Sequence, residues 1–154
     1  MEVQEVIHLR GAFELALKDV YGNVLEKRVV DNVVVTSGRR WVLQQIASSE
    51  IQTAQSIVQT AIGTSTAAPA TSDTGLGSET VRKAIGTYTT SNLTSNPPSW
   101  RAECSFATNE GNTTLGEVGL FNSSAGGTML ARATYGTLNK TTSNTLSVSY
   151  TISN

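Results

Sequence analysis

The sequence predicts a mainly β protein, a single-domain β-sandwich or jelly-roll-like barrel with one short helix (about 38–48) and long loops. Three observations predict it. Apolar and polar residues alternate through most segments, the period of a half-buried strand. Thr, Ser and Asn supply 49 of the 154 residues and Gly another 13, a composition of short strands and many turns. Only one segment spaces its apolar residues as a helix does.

Taken in order, residues 3–10 (VQEVIHLR) alternate, with Val6, His8 and Arg10 on one side and Ile7 and Leu9 on the other; a strand or an extended arm fits. In 13–20 (FELALKDV), Phe13, Leu15 and Leu17 point one way and Glu14, Ala16 and Lys18 the other. Tyr21, Gly22 and Asn23 supply a turn, and Val24 to Val30 returns as the second strand of a hairpin. Residues 33–36 extend the apolar run, and Thr36 or Ser37 is placed to cap a helix. In that helix Val42 and Ile46 stand four apart, as do Leu43 and Ala47. So short a helix needs a sheet to pack on.

Period 2 returns over 56–63. Residues 64–79, with Pro69, Gly75 and Gly77, read as a long loop of ordered type, and 80–90 as the next strand. Residues 91–99 form a second irregular loop, where Pro97 and Pro98 bar regular pairing. Trp100, Ala102, Cys104 and Phe106 then share a face. Strands follow over 114–122 and 128–136, and 137–144 loops into 145–153, where Leu146, Val148, Tyr150 and Ile152 share a face. No repeat or domain boundary interrupts residues 1–154.

Eleven Lys plus Arg face twelve Asp plus Glu, net −1. A phosphate-tracking surface needs clustered basic residues in excess, so nucleic acid is not the expected partner. MEVQEVIHLR has no apolar core of leader length, and no stretch nears the ~18–20 apolar residues that span a membrane. The expectation is a chain made in a cytosol that stays soluble, with no membrane partner. One Cys and one His exclude an intrachain disulfide and a zinc site of ordinary spacing, so no metal or cofactor is expected.

The search for catalytic groups starts from His8, the only histidine. It stands between Ile7 and Leu9 and reads as a surface strand residue. Cys104 alternates with apolar neighbours and reads as a packed free thiol. Paired carboxylates for glycoside hydrolysis would come from Glu103, Glu110 and Glu117. All three read more simply as solvated strand-face or turn residues. Gly75-Leu76-Gly77 lacks the lysine and spacing of a phosphate loop. Arg39 and Arg40, at the helix start, read as a solvated face. The chain is therefore expected not to be an enzyme.

One pattern goes beyond composition. Thr36 and Gly38 with Arg39, then Ala61 to Thr64 with Pro69, then Leu76 to Glu79, Glu117 to Asn122 and Leu130 to Arg132 stand in order along 33–153. This order resembles a widespread group of small tailed-bacteriophage virion proteins, which share a T-x-x-G helix start, an A-x-G-T…A-P…T-x-L-G-x-E loop and an E-x-G-L-F-N strand followed by L-A-R. Gly38 departs from it, standing two residues after Thr36 and not three. In the E-x-G-L-F-N strand Val118, Leu120 and Asn122 face opposite to Glu117, Gly119 and Phe121, and Glu117 is in reach of Arg132 across the following turn.

The resemblance implies a virion structural protein on the outer capsid surface, made in a bacterial host's cytoplasm. Its first form is a decoration, or cement, protein that binds the major capsid protein as a homo-oligomer, a trimer by expectation, and stabilises the head. Residues 1–32 lie outside the resemblance. Residues 1–12 are read as an N-terminal arm whose Val3, Val6, Ile7, His8, Leu9 and Arg10 contact the shell by strand addition. The alternative is a tail-fibre, collar or receptor-binding module, with glycans on loops 64–79, 91–99 and 137–144 and Tyr88 or Trp100 as a stacking face.

Overall fold

A computed structural model describes residues 10–47 and 56–153. Among these described residues the chain forms ten strands and one helix. The strands are β1 (Arg10–Asp19), β2 (Val24–Asp31), β3 (Val33–Val34), β4 (Gln59–Gly63), β5 (Glu79–Ala84), β6 (Thr87–Thr89), β7 (Ser99–Phe106), β8 (Thr114–Phe121), β9 (Met129–Asn139) and β10 (Asn144–Ser153). The helix, α1, spans Thr36–Ala47. Two antiparallel five-stranded sheets result, one ordered β2-β1-β10-β7-β6 and the other β3-β9-β8-β4-β5. Neither closes into a barrel, and the arrangement is that of a β-sandwich.

The first sheet turns Phe13, Leu15 and Leu17 of β1, Leu146, Val148 and Tyr150 of β10, and Ala102, Cys104 and Phe106 of β7 onto the core. The second sheet answers with Leu115, Val118, Leu120, Leu130 and Ala133. Each of those predicted faces is therefore the buried one. Tyr150 packs tilted against Phe13 at 4.8 Å between ring centroids and edge-on against Trp100 at 6.3 Å, an aromatic row through the first sheet.

Three sequence readings need correction. Residues 80–90 are two strands, β5 and β6, in different sheets. The chain crosses the sandwich at Ile85 and Gly86, where Ile85 N–H donates to Val58 O and Gly86 N–H to Glu103 O. Period 2 survives that crossing, so pattern alone misses it. The loop expected over 137–144 is shorter, because β9 runs on to Asn139. The helix starts at Thr36, so Ser37 lies inside its first turn and donates its hydroxyl to Met129 O, tying the helix to β9. Gly38 permits that approach, since a Cβ there would collide with the Leu130 carbonyl and its Cα.

Within the expected arm, Arg10, Gly11 and Ala12 belong to β1, opposite Ser153, Ile152 and Thr151 of β10. Arg10 is exposed. Val3, Val6, Ile7, His8 and Leu9 lie outside the described residues.

Candidate functional site

The outer face of the second sheet is roofed by the loop between β4 and β5, residues 64–78. Under that roof lies a second apolar cluster of Val35, Ala61, Phe121 and Met129, with Leu76 of the loop packed on it. Arg82 lays its guanidinium over the Phe121 ring, 3.6 Å from the centroid, while Glu79 holds it from the side with bonds of 2.6 and 2.9 Å.

Glu117 stands at the centre and is fully buried. The expectation of a solvated carboxylate is wrong here. Its Oε1 accepts from Ser78 N–H at 2.7 Å and Ser65 N–H at 3.3 Å. Its Oε2 accepts from Gly77 N–H at 2.9 Å and from Arg132 Nε at 2.9 Å. Arg132, itself buried, donates through Nη1 to Asp73 Oδ2 at 2.7 Å and through Nη2 to Ala67 O at 3.2 Å. Asp73 closes the circuit by accepting from Ala70 N–H at 2.9 Å. Its carboxyl is held below the usual range, first by that backbone bond and then by Arg132, with burial opposing both.

Strand geometry explains why these residues meet. In the β8–β9 pairing Glu117 lies opposite Thr134 and Gly119 opposite Arg132, so the acid and the base are diagonal neighbours on one face. The reach of Glu117 to Arg132 is as the sequence suggests; the burial of the pair is not. Glycine makes room for the roof. A Cβ at Gly119 would come within 2.9 Å of Leu76, one at Gly116 within 2.7 Å of Ser65 O, and one at Gly77 within 2.7 Å of the Ser65 hydroxyl. A Cβ at Gly63 would meet the Ser78 carbonyl and the Glu117 carboxylate. The motif positions Gly63, Leu76, Gly77, Glu79, Glu117, Gly119, Phe121 and Arg132 thus serve one construction, a loop fastened onto a sheet.

Chemically, this centre holds a shape. Both oxygens of Glu117 are occupied by N–H donors, and the guanidinium of Arg132 is shared among two carboxylates and a carbonyl. The other acids stand apart from it. Glu103 is half-exposed and pairs with Arg101. Glu110 lies in a turn, accepting from Lys83 at 2.7 Å and Ala107 N–H at 2.7 Å, and these bonds lower its pKa. Cys104 is buried, and loss of solvent pushes its thiol up to about 11, as a packed cysteine requires. Arg39 and Arg40 are exposed on α1, and Arg39 Nε donates to Val34 O. Among the described residues no three His, Cys, Asp or Glu side chains gather to hold a metal ion.

Two further surfaces bear on binding. Tyr88 and Trp100, both singled out from sequence, come together with ring centroids 6.0 Å apart and planes tilted by 33°. Tyr88 stays partly exposed while its hydroxyl donates to Ile57 O. On the outer face of the first sheet a shallow groove of about 390 Å³ runs between Glu14 with Lys27 and Arg101 with Glu103, floored by Ser147 and Ser149. Glu14 pairs with Lys27 and Arg101 with Glu103 within the chain, and Lys18 also lines the groove. Compared with known proteins, the chain matches no family model, no curated protein and no solved structure.

Proposed function

We propose that this chain is a virion structural protein of a tailed bacteriophage, a decoration or cement protein that binds the major capsid protein at the outer head surface. One observation carries the reading. Loop 64–78 is exposed along most of its length yet fastened from beneath by buried charges. Its outer residues are small and uncharged, Thr66, Ala67, Ala68, Ala70 and Thr71 among them. Such a surface loses little conformational freedom when it docks, so a modest contact area yields usable affinity. Many copies, each bound only to the assembled shell, stabilise it by mass action. Several residues that carry the resemblance to phage virion proteins, Gly63, Leu76, Gly77, Glu117, Gly119 and Arg132, also fasten this loop.

Copy number tests it. Purified particles should contain the chain in near-stoichiometric ratio to the shell protein, and added protein should bind heads lacking it. A handful of copies per particle would overturn the head assignment. The Tyr88–Trp100 pair favours a second reading, a receptor-binding module with glycan stacked on it; that reading predicts few copies and carbohydrate binding lost on Tyr88→Ala.

A further inference from the structure

Among the described residues, β2 is the outermost strand of the first sheet and is bonded to β1 alone. Edge strands are ordinarily shielded by charge, proline or a cover. This one exposes Val24, Leu25 and Val29, at 56, 58 and 64%. The Asn32 N–H donates to Gly11 O, so Ala12 and Asp31 form a non-hydrogen-bonded pair. By alternation, Lys27 and Val29 then turn their backbone N–H and C=O groups to the free side. The register shift between Leu17 and Lys18 leaves Leu25 without a partner on β1.

The order of side chains on this edge is symmetric. From Val24 to Val30 it runs apolar, apolar, Glu26, Lys27, Arg28, apolar, apolar. Two such strands laid antiparallel about Lys27 place Leu25 opposite Val29 and Glu26 opposite Arg28, each pair twice. The two Lys27 side chains meet at the axis, and each brings its own counter-charge, Glu14 at 2.9 Å. A foreign strand would need no such symmetry. We infer that the β2 edge is a self-association surface, pairing with β2 of a second copy about a two-fold axis at Lys27 and joining two five-stranded sheets into one. This contact stands independently of the virion reading.

Sedimentation of the full chain over a range of concentrations tests it. The expected result is a monomer–dimer equilibrium that Val29→Lys weakens by about tenfold or more, as does Arg28→Glu, which sets like charges across the axis. The double variant E26K/R28E should recover the dimer. Far-ultraviolet dichroism should show every variant folded, and hydrogen exchange at Lys27 and Val29 should slow with concentration in the parent and the double variant, not in the single variants. A chain that stays monomeric overturns the inference, as does a dimer or trimer indifferent to these changes. An assembly abolished by deleting residues 1–9 yet untouched by Val29→Lys would also overturn it, assigning the association to the N-terminal segment.

Discussion

The outer face of the second sheet hides Glu117 and Arg132 beneath a loop, while the hairpin of the first sheet leaves Val20, Tyr21, Val24, Leu25 and Val29 in water. Polarity is inverted in both places. In the first, backbone N–H groups of Ser65, Gly77 and Ser78 and the carboxylate of Asp73 satisfy the buried charges from within the chain. In the second, nothing among the described residues covers the apolar side chains. Inverted polarity that is satisfied internally builds shape; left unsatisfied, it points outward to a partner.

Four substitutions break or sharpen that contrast. Glu117→Ala should cost most, about 3–5 kcal/mol by urea denaturation, because it strands Arg132 in a buried position and frees three loop N–H groups. Proteolysis within 64–78 should accelerate in the same variant. Gly38→Ala comes next, at about 1–3 kcal/mol, despite alanine's better helix propensity, since the added methyl drives α1 off the Leu130 backbone.

Asp73→Asn should lose about 1–2 kcal/mol at neutral pH, for the weakened bonds to Arg132 and Ala70. Its sign with pH is fixed. The folded carboxyl titrates below its unfolded value of 3.8, so its stabilisation is present above that value and fades as pH falls through the folded pKa. Parent and variant should therefore converge in stability at acid pH. Val29→Thr closes the series, with a stability change within about 0.5 kcal/mol, because the side chain supports no part of the monomer's core. A large loss of monomer stability there would show the edge to be part of the fold.

Much of this was legible in the sequence. Alternation identified the buried faces of β1, β7 and β10 because a period of 2 has one physical cause, a sheet with one dry side. The hub was only half legible. Glu117 within reach of Arg132 follows from strand and turn lengths, yet burial of the pair depends on N–H donors from a loop some 40–50 residues away, and backbone donors leave no mark in side-chain pattern. The one available signal was glycine density, at Gly63, Gly77, Gly116 and Gly119, where close approach forbids a Cβ. The crossing between sheets was hidden for a related reason. Ile85 is buried in register with what precedes it, and only Gly86 hinted at the bend.

The antiparallel seam between β1 and β10 has a mechanical consequence. Arg10 lies across from Ser153 at one extremity of the seam, and the pairing proceeds rung by rung to Asp19 and Asn144. Tension drawn through Arg10 and Ser153, at the same end, falls on a single backbone bridge at a time and peels the strands apart, whereas a pull from opposite ends of the seam loads many bridges together. Optical-trap extension from positions 10 and 153 should give a low rupture force, and extension from 10 and 144, at opposite ends of the same seam, a higher one. Such a seam resists load along its strands and yields at its open end.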